Sequence, residues 1–381
     1  MAGRSVLIVG GGIVGLSCAW EAAKRGFRVT VVEKETFGGQ ASGAAAGMLA
    51  PFSENAAGPD AFFRLCLDSL NAYPEFVREV EEASGMDAEW RRAGSVAAAL
   101  HEADWLPLQS RAAWQSAYGG RCELLEAADL RKLEPALTGE ALAGLWCPVE
   151  SHVSAPKLVR ALEEACRRSG VTLVGDAGGV TKLETRGEAG AVLETERAGA
   201  LAADRAVLCA GAWSPLWERW LPIAVPVHPI RGQICAYEKA APEVRHMVFS
   251  SQAYWVGKQD GSLVCGASED HAGFERSVTE KGIGRLTRWS GKMFPFLGGR
   301  QPSRSWAGLR PATRDGWPLI GPVPGMPEVV VATGHYRNGI LLSPATARWV
   351  GDLLDGRPAG LAYGGAFAPE RFTRLAAGAS R

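Results

Sequence analysis

The chain has 381 residues, 47% of them hydrophobic and 22% charged, which is ordinary usage for two or three domain-sized units around a substantial core. Its 41 basic residues balance 41 acidic ones, and with no dense Lys/Arg block it offers neither nucleic acid nor an anionic membrane a partner surface. No apolar run reaches the ~20 residues of a membrane helix, and Met1 to Arg4 lead directly into a strand-like run instead of a signal peptide.

In chain order, residues 5–10 (Ser-Val-Leu-Ile-Val-Gly) read as a short buried strand ending in glycine. Ile13, Leu16, Trp20 and Ala23 then recur at helical spacing, and Gly26 supplies a stop. Residues 28–33 (Arg-Val-Thr-Val-Val-Glu) form a second buried strand, which completes a βαβ unit with parallel strands. The segment from Gly38 to Ala50 is too rich in Gly and Ala for an ordinary loop. A helix or two are expected between 60 and 83, short strands and more helix over 90–150, and a helix from Pro156 to Arg168 leading into a strand at Val171–Val174. Two hairpin-like strands near 180–203 precede another buried strand, Arg205 to Gly211. Ile230–Tyr237, Ala253–Lys258 and Ser262–Ala267 read as antiparallel strands between turns. A last parallel-type strand, Val329 to Ala332, passes through a glycine-containing loop into a helix ending near Leu354. Cysteines at 18, 66, 122, 147, 166, 209, 235 and 265 form no Cys-x-x-Cys, and the six histidines have no metal-ligand spacing. Reduced, buried thiols in a cytoplasmic protein without a metal site are therefore expected.

The first strand feeds Gly10-Gly11-Gly12-Ile13-Val14-Gly15, a G-x-G-x-x-G at a strand–helix junction. Gly10 permits the tight turn, Gly12 lets a pyrophosphate approach the backbone, and Gly15 lets helix and strand pack closely. Glu33 ends the second strand, where its carboxylate can accept from both ribose hydroxyls. Further βα units would be expected of a nicotinamide enzyme. The Gly/Ala segment instead suits close approach by a large flat ring such as an isoalloxazine, although a tightly packed Ala-rich helix has the same composition. In the C-terminal loop, either Gly339 or the Ser343–Pro344 pair marks the helix start. A helix N-terminus aimed at a reduced flavin would stabilise its negative charge.

Together "GGGIVG", "SGAAAGML", "WAGLRPATRDGWPLIG" and "GHYRNGILLSPATA" resemble the D-amino-acid oxidase superfamily of flavoproteins, and within it the glycine oxidases of thiamine biosynthesis, over residues 5–356. The resemblance implies noncovalent FAD in an α/β, partly α+β fold: a Rossmann-like FAD-binding domain (1–85, 150–225 and 305–381) interleaved with a smaller antiparallel-sheet substrate domain (86–149 and 226–304). It also implies Ile13 and Val14 beside the pyrophosphate, Glu33 and Lys34 at the adenosine ribose, and Ala41 and Ser42 along the dinucleotide. Ala46, Gly47 and Met48 would lie near the isoalloxazine, and Val180 would give a backbone contact near the adenine. His335, Tyr336, Arg337, Asn338, Gly339, Ile340 and Leu341 would wrap the pyrimidine end.

For the substrate, Arg310 is the first choice, because a guanidinium fork matches a carboxylate bidentately; a structural salt bridge to Asp315 is the alternative. Tyr254 aligns with a tyrosine that meets the same carboxylate in similar enzymes, and Arg337 is a second carboxylate or flavin contact. His335 is expected to be structural or to touch flavin, since the resemblance implies no catalytic histidine. Trp255 and Trp306 are expected to narrow the pocket, and Glu269 stands where related chains can have methionine. The implied reaction converts glycine or another small amine, with O2 and water, to the oxo acid, ammonia and H2O2. Sarcosine, D-alanine or D-proline as substrate, a dehydrogenase using another acceptor, and a non-catalytic flavin-binding subunit stay open. Related enzymes are often homotetramers.

Overall fold

The computed structural model describes residues 4–55, 58–185, 187, 190–357 and 362–373. Strand Ser5–Val9 is wholly buried and lies at the centre of a six-stranded sheet, in parallel register with Arg28–Val32 on one side and Arg205–Leu208 on the other. Thr172–Val174 and Met326–Thr333 extend it in parallel. The hairpin strand Leu319–Val323, unread in the sequence, closes one edge antiparallel. Val6 and Ile8 face one hydrophobic cluster and Leu7 and Val9 another. With both faces covered, the central strand Ser5–Val9 carries no polar alternation, which is why it reads as a continuous apolar run.

A three-stranded antiparallel meander, Val180–Thr185, Ala191–Thr195 and Gly199–Ala203, replaces the two strands expected there. The third, Gly-Ala-Leu-Ala-Ala, has no β-branched residue to mark it. An eight-stranded sheet forms the second layer, running Arg304–Thr313, Val227–Tyr237, Leu263–Gly266, Tyr254–Gly257, Met247–Phe249, Ser95–Ala99, Ala143–Cys147 and Glu123–Glu126. Arg304–Thr313 pairs with Val227–Tyr237 over ten consecutive positions. A domain boundary at 304/305 therefore cuts a strand from its own sheet, and we place the return to the first layer after Thr313.

The helix Gly339–Leu354 starts at Gly339, with Asn338 at its N-cap position. Ser343 and Pro344 lie inside it, both buried, so they do not mark its start. Proline has no N–H to give the carbonyl four residues back. The freed Ile340 carbonyl is met instead by the hydroxyls of Tyr73 (3.0 Å) and Ser343 (3.0 Å). One residue on, Ser69 Oγ donates to Leu341 O (2.6 Å) and accepts from Ala345 N–H (3.2 Å). Ser69 and Tyr73 belong to the 24-residue helix Ala61–Ser84, capped by Asp60, whose carboxylate accepts the Phe63 N–H, and ended by left-handed Gly85. A substitution of that cap costs ~1 kcal/mol. The long helix thus fixes the first turn of the C-terminal one.

Candidate functional site

One elongated cavity of about 700 Å³ runs between the two layers, within the usual range for a bound small molecule. At one end it meets the N-terminus of helix Ile13–Lys24, lined by Gly10, Gly12, Ile13 and Val14. Gly15 does not line it. A methyl group on Gly15 would overlap the Gly10 carbonyl, so Gly15 sets the approach of helix to strand. The N-cap residue, Gly12, offers no side-chain cap and the first turn holds no acid, a combination that favours an anion there. Ser42 Oγ accepts the Ile13 N–H at 3.0 Å and lines the cavity beside Ala41.

Glu33 accepts the Gly11 N–H (2.7 Å) with one oxygen and the Glu35 N–H (3.1 Å) with the other. Its carboxylate is thereby held at the cavity wall, near Lys34 and Val180, which line the same end. Further along come Ala46, Gly47 and Met48. Gly47 has φ +81°, and a side chain there would run into the Val153 carbonyl.

Behind this wall lies Lys258, a residue the sequence did not single out. Its ammonium donates to Ala46 O (2.6 Å) and Val153 O (2.9 Å), and desolvation pulls its pKa down to about 7. It directly follows the strand Tyr254–Gly257, four residues after Tyr254, so continuing the period-2 spacing from Tyr254 would have pointed to it. Glu54, which also lines the cavity, carries no comparable sequence mark.

At the opposite end stand Tyr254, Arg310, His335, Tyr336, Arg337, Gly339 and Ile340. Arg310 and Tyr254 both lie over glycines of neighbouring strands. A Cβ on Gly232 would come within 2.5 Å of the Arg310 guanidinium, and one on Gly266, cross-strand partner of Tyr254, would strike the phenol. Arg310 donates to Ser268 O at 2.9 Å. Asp315, the alternative partner, is instead paired with Arg371 (2.8 Å). Among the described residues no carboxylate lies within ion-pair distance of Arg310, so its remaining donors face the cavity. Burial pushes the Tyr254 phenol up to about 12 and keeps it a donor.

The other loop residues divide. Arg337 is ion-paired to Glu54 (3.3 Å) and Glu269 (3.2 Å), so it is not a free second anchor. Tyr336 N–H donates to Pro311 O, tying the loop to the Arg310 strand. Asn338 and Leu341 do not line the cavity: Asn338 is buried at the helix cap and Leu341 in the core beneath it. Trp255 does not narrow the pocket either. It is fully buried on the opposite strand face from Tyr254 and donates to Ser290 Oγ. Trp306 shares the Arg310 face but is turned to the Ala44 carbonyl (2.9 Å).

His335 Nε2 is 3.0 Å from Thr346 Oγ1. Burial pulls its pKa down from 6.5 to about 3; burial, helped by Lys258 and Arg91, takes His152 to about 2. Both are neutral in the folded protein, whereas the unfolded chain binds protons on them below about pH 6.5. Stability is therefore lost as pH falls through that window. Thermal unfolding midpoints should decline from pH 6.5 to 4, and His335→Gln, which keeps a partner for Thr346 and takes no proton, should decline less.

A glycine-rich crossover and a helix N-terminus at one end, with a guanidinium that has no carboxylate partner among the described residues at the other, define a cavity suited to a nucleotide cofactor and a small anion. The chain belongs to the DAO family of FAD-dependent oxidoreductases, whose match runs over residues 5–353. It is 34% identical over 353 residues to the glycine oxidase of Geobacillus kaustophilus, covering 92% of each chain. It is also 34% identical over 375 residues to the bifunctional protein ThiO/ThiG of Synechocystis; the match covers 96% of this chain but 54% of that one, so the chain spans about half the length of that relative. The crystal structure of the Geobacillus kaustophilus glycine oxidase superposes with a TM-score of 0.92 at 30% identity, covering 98% of this chain and 100% of that one. FAD, the cofactor of the family, suits the cavity: the helix N-terminus, without an acid in its first turn, would face the pyrophosphate charge, Glu33 would reach the ribose, and Ala46 and Gly47 leave room beside a flat ring.

Proposed function

We propose that this chain oxidises the amine of glycine or a similar small amino acid to the imine, which water hydrolyses to the oxo acid and ammonia, with O2 as final acceptor. The observation that carries it is Arg310, a guanidinium without a carboxylate partner among the described residues, beside Tyr254 in the cavity that begins at the glycine-rich crossover. The glycine oxidase and ThiO/ThiG relatives support the substrate and a role in thiamine (thiazole) biosynthesis. A cytoplasmic homotetramer is the expected setting on the resemblance alone.

When bound, FAD supplies the two-electron acceptor for the Cα–H of the amine. Gly10, Gly12, Ile13, Val14, Glu33, Ser42 and the Ala46–Met48 wall would hold it. Arg310 and the Tyr254 hydroxyl fix the carboxylate, which orients the amine-bearing carbon. Lys258 holds the wall in place by gripping the Ala46 and Val153 carbonyls together. His335 is committed to Thr346 and Glu54 to Arg337, so the ammonium loses its proton to solvent before oxidation. His335→Gln should therefore lower turnover less than tenfold with FAD still bound; a thousandfold loss would make it the base.

The deciding experiment is an anaerobic titration of the yellow protein with glycine, followed by air. Bleaching of the visible bands, then their return with peroxide, is the expected result. Bleaching by D-alanine or D-proline but not glycine would overturn the substrate assignment, and bleaching by no small amine would overturn the reaction.

A further inference from the structure

Four charged side chains gather at the Arg310 end of the cavity, and they are not paired one to one. Arg337 sits between two carboxylates, with Nη2 3.3 Å from Glu54 Oε1 and Nη1 3.2 Å from Glu269 Oε1. The two acids differ in place. The Glu54 side chain is 7% exposed and lines the cavity, while that of Glu269 is 50% exposed and stands outside the lining. Tyr336 adds a third contact, its hydroxyl donating to the same Glu269 oxygen at 2.9 Å. Glu54 alone would neutralise Arg337. Glu269 takes the group past neutrality, so the trio carries a net negative charge next to Arg310, which has no carboxylate partner among the described residues.

We propose that Glu269 is a specificity-determining residue acting through Arg337. It turns the neutral Glu54–Arg337 pair at the cavity into a net-negative cluster, so that the protein accepts amines with one carboxylate and rejects those carrying a second anionic group. The proposal rests on Arg310 as the carboxylate anchor of the functional reading above. An amino monocarboxylate places its one anionic group on Arg310 and meets the trio only with its cationic or neutral part. A dicarboxylic amine, or one with a phosphonate or sulfonate, must put its second anion next to Glu54 and Glu269. Discrimination by an added like-charge contact is a common way to narrow specificity without improving the contacts to the accepted ligand. Because Glu269 is half exposed, solvent and salt screen it, and a five- to tenfold effect, roughly, is the scale for such a charge.

The test uses the FAD-loaded protein and two anions that are not turned over, acetate and malonate, each titrated while the visible flavin spectrum is followed. Wild type is compared with Glu269→Gln, which keeps the shape and an acceptor for Tyr336, and with the double variant Glu269→Gln/Arg337→Met. The expected result is a malonate Kd about five- to tenfold lower in Glu269→Gln, an acetate Kd changed less than twofold, and loss of the malonate gain in the double variant. Added salt should shrink the malonate difference between wild type and Glu269→Gln. A loosened loop would move both anions together and would be insensitive to Arg337. That pattern, or an unchanged malonate Kd, would overturn the proposal. Since these titrations require no turnover, a protein that binds acetate yet never oxidises glycine would sink the reaction and leave the malonate ratio to decide on Glu269. No spectral response to either anion in any form would overturn the Arg310 anchor and the proposal with it.

Discussion

Replacing Arg310 by Met should lower kcat/KM for glycine by roughly 10²–10⁴-fold while the protein stays yellow. Two charge-assisted hydrogen bonds at about 1.5–3 kcal/mol each set that range, at about 1.4 kcal/mol per factor of ten. Cavity-facing donors held over Gly232 make the guanidinium a fixed fork, so Arg310→Lys, with one point charge, should recover only part of the loss. Steady-state peroxide formation together with the bound-flavin spectrum checks this. A variant that keeps full activity would show that the substrate is anchored elsewhere, and one that loses its colour would move Arg310 to the cofactor.

The second large effect is expected at the glycines of the crossover, and the two kinds should separate. In Gly15→Ala the methyl meets the Gly10 carbonyl, backbone against backbone, and no side chain can rotate away. Helix and strand must part, at a cost of about 3 kcal/mol or more. The variant should unfold at lower denaturant and bind FAD poorly as a consequence. In Gly12→Ala the added carbon meets only Ser42 Oγ, at 3.1 Å, and otherwise projects where Gly12 lines the cavity. It should fold with near-normal stability and lose cofactor affinity alone. Urea unfolding of apoprotein beside FAD titration separates the two, and equal stability loss in both would contradict the division of roles.

The βαβ unit was legible because everything that defines it is local: a buried run, three spaced glycines, a helical repeat and a terminal acid within about thirty residues. The strand Arg304–Thr313 was not, although its motif was recognised, because its partner Val227–Tyr237 lies far back in the chain and pairing leaves no local trace. The same limit explains Arg337. Its type and position suggested an anchor, but the two acids that occupy it come from residues 54 and 269, and only folding brings them together. Trp255 is a different case: in a strand a neighbour of Tyr254 must point to the other face, so its exclusion from the pocket was available from period alone. Trp306 obeys the period and still misses the cavity, since the Ala44 carbonyl intercepts its indole N–H. Asp315 was a fair candidate partner for Arg310 by proximity in sequence; Arg371, from the C-terminal end of the described chain, claims it.

The cavity walls come from residues 9–54, 178–254 and 308–340, with the strand Met326–Thr333 and the helix Gly339–Leu354 supplying the far end. During synthesis the first crossover can form early, but its cavity stays open until the wall from 308–340 has followed. FAD can therefore be gripped along its whole length only by a finished chain, and its capture marks the completion of folding. Once in place it ties the earliest segment to the latest, so local opening at either end has to release the ligand as well. Holoprotein should accordingly resist proteolysis at both ends of the chain together, and apoprotein should yield at both.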